Sequence, residues 1–385
     1  MLYITPSCFL VGFLVGLAPA NSAIVPGRVF DRFISIWLEN QDFVEVIKDP
    51  DFAHLKRRGI LQTRYYANTH PSQPNYLASV AGDYFGLNHD ERVRVPDNVS
   101  TIVDLLDTRG ISWGGYFEHM PGPGYLADFS FDAHGAWDYV KKHNHFASFD
   151  SINKNGTRLT QLRSFDAFRR HLAAGTVPQF VMMSPDMLND GHNTTLAYAT
   201  KWAREFLLPI LEDTRAHSLW KERTVIQLTY DESDDYGKPN RIASLLLGTG
   251  LPESLKGTED GTFTTHYSVL ATAQNNWDLP TLGRYDAGAN VFQFAADVTG
   301  HVNRDPPNLA TLDNSLSYAG FFHNGTAADR LPIPPPNLKL AGAGGKGVLP
   351  QVASTWEAFA GDRSPYDGGG AVYDGKAIPV YKPQE

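Results

Sequence analysis

The sequence predicts an α/β protein with a mostly parallel central sheet flanked by helices, and three observations lead there. Short apolar runs recur at residues 34–38, 111–117, 179–183, 224–230 and 243–248. Stretches with helical spacing lie between them, as right-handed strand–helix–strand crossovers require. Several of the runs end abruptly in acidic residues, and in sheets of this kind ligands bind outside the carboxyl ends of the strands.

Taken in order, Ile34-Ser35-Ile36-Trp37-Leu38 breaks at Glu39-Asn40, as a buried parallel strand does on leaving its sheet. In residues 67–82 Ser72 stands just ahead of Pro74 and an apolar run, which predicts a helix with Ser72 at its N-terminus. Unpaired N–H groups and the positive end of the dipole favour an anion there, so a serine oxygen can be held partly deprotonated beside a bound phosphate. Asn75 adds an amide donor close by; taken alone, the pattern also suits an ordinary N-cap. Residues 100–107 have helical spacing and stop at Gly110, and the strand predicted at 111–117 ends at Glu118-His119. Residues 120–160, rich in Gly, His and aromatics with no period, read as long loops over one face.

A helix is predicted over 164–174, then a strand over 179–183 that ends at Ser184-Pro185-Asp186. Asp186, Asp190 and His192 crowd two carboxylates and an imidazole into one short piece. A long amphipathic helix follows at 196–212, and the β-branched run 224–230 leads straight into Asp231-Glu232. Residues 243–248 read as another buried strand, and His266 precedes a helical run at 267–273. Glu39, Asp186 and Asp231 thus fall at strand ends, with Ser72 and His266 at helix starts on the same side of the sheet.

Residues 1–23 carry no charge, and their apolar run at 9–17 is too short to span a bilayer, so they read as a signal peptide cleaved after Ala20 or Ala23 although a basic n-region is missing. The catalytic domain is placed at 24–303 and a Pro/Gly-rich extension at 304–385, whose stretches 331–337 and 341–345 read as a linker before a tail that packs on the domain or stays loose. The only cysteine, Cys8, lies in the leader, so the mature chain has no disulfide. Sequons at Asn98, Asn155, Asn193 and Asn324 fit a secreted, extracellular glycoprotein. A formal net charge of −9 with no basic stripe excludes a nucleic-acid backbone as partner, and the absence of a hydrophobic C-terminal tail argues against a membrane anchor. Nothing specifies an oligomeric state.

Together these pieces suggest one site with a hydroxyl nucleophile, carboxylates and histidines. Oxygen and imidazole ligands without thiolate suit a divalent Zn, Mn, Mg, Ca or Fe ion and do not single one out. The sequence resembles the phosphoesterase family of fungal secreted acid phosphatases and bacterial phospholipases C, within the alkaline phosphatase-like superfamily. The resemblance covers about residues 30–300 and rests on Leu38-Glu39-Asn40, Pro71-Ser72-Gln73-Pro74-Asn75-Tyr76, Ser184-Pro185-Asp186 with Asp190-Gly191-His192, Tyr230-Asp231-Glu232 and His266-Tyr267-Ser268.

The resemblance implies an alkaline phosphatase-like core, a phosphoserine at Ser72, and Asn75 donating to a phosphoryl oxygen. It implies that Glu39, Asn40, Asp231 and Glu232 hold a metal beside Ser72, and that Asp186, His192 and His266 match a second-metal pattern with Asp190 an alternative. The chain departs from many relatives in having Asp231-Glu232 where they have Asp-His, which leaves the number of metals open. Tyr116 and Glu118, with Trp113, resemble a segment near the substrate, although core packing suits the aromatics equally. His143, in Lys141-Lys142-His143-Asn144, resembles a substrate-binding position or belongs to a basic surface patch. The function implied is hydrolysis of small phosphomonoesters at acid pH, with cationic His143 or His119 assisting; the alternatives are a phosphodiesterase such as a phospholipase C, or a non-catalytic secreted glycoprotein.

Overall fold

The computed structural model describes residues 23–212, 218–237 and 239–369, so the predicted leader, Cys8 included, lies outside the described residues but for Ala23. The strands in chain order are β1 (Arg32–Leu38), β2 (Ile60–Tyr66), β3 (Trp113–Phe117), β4 (Phe129–Phe131), β5 (Trp137–Val140), β6 (Leu162–Arg163), β7 (Phe180–Ser184), β8 (Thr224–Tyr230), β9 (Arg241–Leu247), β10 (Thr258–Asp260) and β11 (Thr264–Thr265). One sheet runs β10-β2-β9-β8-β1-β7-β3-β6 with β11 also on β2, and β4 and β5 form a separate hairpin. The sheet is mostly parallel; β9 runs antiparallel to both β2 and β8.

β1 and β8 are buried along their whole length, as strands covered on both faces must be. Polar groups inside them are joined to one another: Ser35 Oγ donates to Gln227 Oε1 at 2.8 Å, Gln227 Nε2 to Ser244 Oγ at 3.0 Å, and Ser244 Oγ to Gln62 Oε1 at 2.7 Å. This chain crosses β1, β8, β9 and β2, and a slip of one residue in any strand would turn a buried polar group onto an apolar face. The register it fixes pairs Leu38 with Tyr230, so Glu39 and Asp231 leave the sheet side by side.

Helices flank the sheet. Those at Ser72–Ala81 and Tyr267–Trp277 touch each other and are buried on every side, whereas Leu196–Glu212 buries only Ala199, Thr200, Ala203 and Leu207 and shows its other face to solvent. The Ser72 helix ends at Gly82, whose φ of 72° admits only glycine cheaply and where a Cβ would also come within 2.9 Å of Asp286 Oδ1.

Two elements lie outside the predicted set, and two expectations need correcting. The helix Pro50–Lys56 and β2 escape periodicity, because β2 carries Gln62, Thr63 and Arg64 in its middle and its pairing with β9 is irregular between Gln62 and Tyr65. Residues 120–160 are not loops alone: they hold the β4–β5 hairpin and short helices at Lys141–His143, Asp150–Asn153 and Gly156–Leu159. The stretch read as a linker is packed on the domain, with Pro334, Pro335 and Pro336 buried and Val348 bridged to Thr281.

Among its contacts with the domain the extension makes a buried polar centre next to the end of the Ser72 helix. Tyr366 donates its hydroxyl to Asp83 Oδ2 and accepts from Arg284 Nη1 at 2.8 Å, while Tyr318 donates to Asp83 Oδ1. Tyr366→Phe removes only the oxygen that joins Asp83 to Arg284. Chemical denaturation should then show a loss of about 1–3 kcal/mol, the cost of a buried group short of a partner. A loss within experimental error would show that the contact does not hold the extension.

Candidate active site

Ser72 is the first residue of its helix, with Pro71 in the cap position, so it lies at the positive end of the dipole one place further in than an N-cap. Its Oγ lies 3.1 Å from Glu39 Oε2, 3.3 Å from Glu232 Oε1 and 3.5 Å from Asn40 Oδ1. Asn40 N–H donates to Asp231 Oδ1 at 3.1 Å, which ties the exit of β1 to the exit of β8. Glu39 also meets two groups through its other oxygen. Tyr76, one turn after Ser72 on the same helix face, donates to Oε1, and His143 Nε2 lies 3.4 Å from it.

Glu39, Asp231 and Glu232 have no measurable exposure. Burial, reinforced by Asp190, pushes Glu39 up to about 8. Burial and the neighbouring carboxylates raise Asp231 and Glu232 well above the usual range. The histidines bring no compensating charge. Burial lowers His143 far below its ordinary value, lowers His192, and takes His70 down to about 4. The cation present is Lys142, whose Nζ lies 2.8 Å from Asp90 Oδ2 and 3.4 Å from His192 Nε2. Burial disfavours its charge, but Asp90 and Glu39 more than offset this and its pKa is raised.

The arrangement fits a divalent cation. Glu39, His143 and His192 each offer a ligand atom within 4.8 Å of the others. His143 faces Asp190 Oδ2 through Nδ1 at 3.2 Å, which orients Nε2 toward Glu39, and that buried Nε2 has no hydrogen-bond partner. A buried neutral imidazole whose Nε2 has no hydrogen-bond partner offers that lone pair to a cation.

The structure therefore brings together Ser72, Glu39, Asn40, Asp231, Glu232, His143 and His192. It holds other expected residues apart. His266 uses both ring nitrogens, bonding the Asp231 carbonyl through Nε2 at 2.7 Å and Tyr65 through Nδ1 at 3.3 Å, and it stacks on Trp37; it braces Asp231 from behind. Asp186 Oδ1 caps the turn at Leu188 and Asn189 (2.9 and 2.8 Å), while Asp190, four residues on, reaches His143 in its place. Glu118 accepts from Asp186 N–H and Asn189 Nδ2, and with His119 and Asp186 forms a separate cluster. Tyr116 is buried with its hydroxyl bonded to His171, so it packs the core. Asn75 spends its amide on the carbonyls of Thr69 and Pro71 and accepts from Asn68 and Thr69, which fixes the loop ahead of Ser72. The cationic role expected of His143 does not survive its burial; hydrogen bonding to Asp186 and Asp138 raises His119 to about 9, but in the separate cluster.

Sequence reasoning passed over His70, Tyr76, Lys142 and Asp90. His70 bonds Glu232 Oε2 through Nδ1. Its closeness to Ser72 in the chain, and the i, i+4 spacing of Tyr76, were the signals available.

Residues 48–280 match the phosphoesterase family. The chain is 42% identical to a probable acid phosphatase of Kluyveromyces lactis over 86% of this chain and 77% of that one. It is 42% identical to an acid phosphatase of Aspergillus fumigatus over 86% and 74% of the two chains. Among solved structures, an alkaline phosphatase superfamily protein of Vibrio parahaemolyticus aligns with a TM-score of 0.42 and 14% identity over 66% and 67% of the chains.

The buried carboxyls make stability depend on pH. Glu39 keeps its proton in the fold at pH values where the unfolded chain has ionised, so its stabilisation is full below 4.5 and is lost as pH rises through about 8. Metal-stripped protein should show a melting temperature that falls from about pH 5 to about pH 8, and a divalent cation should recover most of the loss at the higher pH. A flat profile without metal would contradict the assignment of these carboxyls as costly to ionise.

Proposed function

The chain belongs to the phosphoesterase family and is a phosphoric ester hydrolase of the acid phosphatase type, and we propose that it cleaves phosphomonoesters in two steps through a phosphoserine at Ser72. The observation that carries this reading is the convergence of Glu39, Asn40 and Glu232 on one hydroxyl at a helix N-terminus. In the first step Ser72 Oγ forms a bond to phosphorus, the ester P–O bond breaks, and the alcohol leaves with a proton. The proton that the alcohol takes is the one Ser72 gives up, and Glu39 Oε2 and Glu232 Oε1, at 3.1 and 3.3 Å, are the carboxyl oxygens within hydrogen-bond reach of that hydroxyl. In the second step water attacks phosphorus, the Oγ–P bond breaks, inorganic phosphate departs and Ser72 regains its proton.

Glu39, Asn40, Asp231 and Glu232 would hold a divalent cation against Ser72, with His143 and His192 presenting further ligand atoms toward Glu39. Such a cation, when bound, lowers the pKa of the hydroxyl and offsets phosphoryl charge. We assign Asn75 to bracing the loop before the nucleophile, on its bonds to Thr69 and Pro71. Acid pH suits a site walled by carboxyls, because a phosphomonoester whose second pKa is about 6 then arrives as a monoanion.

We also infer that the protein is a secreted glycoprotein. Its four sequon asparagines are all exposed, and among the described residues no helix is long and apolar enough to cross a membrane.

Ser72→Ala should retain the fold and lower kcat for p-nitrophenyl phosphate by about three orders of magnitude or more, and acid quenching of the wild type during turnover should trap phosphate on Ser72 by mass spectrometry. Activity above about a tenth of wild type would exclude Ser72 as nucleophile. Asp231→Asn should lower metal content and kcat together, because its carboxylate both holds the ion and balances its charge. Metal analysis checks this, and full activity after prolonged chelation would defeat the metal assignment.

A further inference from the structure

We propose that Tyr236 sets substrate preference, its open ring face stacking on the organic group of an aromatic phosphomonoester held at Ser72. This rests on the phosphomonoesterase reading above. Tyr236 is 56% exposed, an unusual place for a tyrosine with a fixed neighbour. One face of its ring lies on His70, with centroids 4.1 Å apart and planes 21° from parallel. The same His70 bonds Glu232, and Glu232 Oε1 lies 3.3 Å from Ser72 Oγ. Three contacts therefore join the ring to Ser72 Oγ. A group esterified to phosphate at Ser72 extends from the buried hydroxyl toward solvent, and Tyr236, exposed and stacked on His70, offers it an aromatic face.

Residues on either side of Tyr236, namely Ser233, Asp235 and Asn240, are held in place. Ser233 donates from N and Oγ to Asn240 Oδ1, at 3.0 Å each; Asn240 Nδ2 donates to the Thr69 carbonyl; and Asp235 N–H donates to Asp42 Oδ1. A ring held this way loses little freedom when a second ring stacks on it. Such stacking tolerates any flat π-face, so it selects aromatic over aliphatic esters rather than one molecule.

The test compares kcat/KM for 1-naphthyl phosphate and glycerol 1-phosphate in wild type, Tyr236→Phe and Tyr236→Ala. The intrinsic advantage of the naphthol leaving group is common to all three proteins and cancels when their naphthyl-to-glycerol ratios are compared. Tyr236→Ala should lower that ratio about tenfold, and Tyr236→Phe should keep it within about twofold. An unchanged ratio, or an equal fall for both esters from uncovering His70, would overturn the proposal. Should Tyr236→Ala not fold, Tyr236→Leu replaces it. Equilibrium binding of 1-naphthylphosphonate against methylphosphonate gives the same comparison without turnover: wild type should prefer the naphthyl compound about tenfold, and the Leu variant should lose that preference. If wild type hydrolyses neither ester, the phosphomonoesterase reading fails, while the binding ratio still decides whether Tyr236 stacks.

Discussion

Three carboxyl groups without exposure lie around one serine hydroxyl, and much of the architecture serves to make that arrangement tolerable. Ionised carboxylates taken out of water each cost several kcal/mol unless paired, and here the neighbouring imidazoles are neutral. Protons at low pH, or a cation, supply what the side chains do not. Tyr76 on one oxygen of Glu39, and Ser72 on the other, then hold the group in a single orientation whichever of these is present.

Such an arrangement needs its members delivered to within tenths of an ångström from distant parts of the chain. Adjacent parallel strands do this for Glu39 and Asp231, because the pairing of Leu38 with Tyr230 makes their successors neighbours. The buried polar chain from Ser35 to Gln62 locks that register more tightly than apolar packing alone, since an apolar strand that slips by two residues still presents an apolar face. Ser72 comes from a helix whose far end is anchored at Asp83 by the C-terminal extension. The extension thus bears on the site indirectly, through the rigidity of a wholly buried helix.

How much of this could be read beforehand follows from locality. β1, β7 and β8 were legible because strands covered on both faces are continuous apolar runs, and the acidic residues beyond them stand out by contrast. The Ser72 helix was legible from its proline and apolar run. β2 was not, because Gln62 is buried by a partner on another strand that no local pattern reveals. His266 stood out because a histidine before a helix is well placed to reach the site, but Tyr65 on β2 and the Asp231 carbonyl at the exit of β8 take both its nitrogens. The choice between Asp186 and Asp190 turned on which carboxylate caps the intervening turn, and the two are alike in sequence.

The departure at Asp231-Glu232 has a structural answer as well. Where many relatives of the resembled family carry an imidazole after the aspartate, this chain has a carboxylate that bonds an imidazole donated by residue 70. With two carboxyl oxygens Glu232 meets Ser72 through Oε1 and His70 through Oε2. The consequence is a bond between the two sides of the site, from the exit of β8 to the loop ahead of Ser72, that a histidine at 232 would not make in the same form. His70 in turn is covered by Tyr236 from the loop just beyond Glu232. Residues 70, 72, 232 and 236 therefore form one connected wall, in which a change at Glu232 would be felt at the outer aromatic ring.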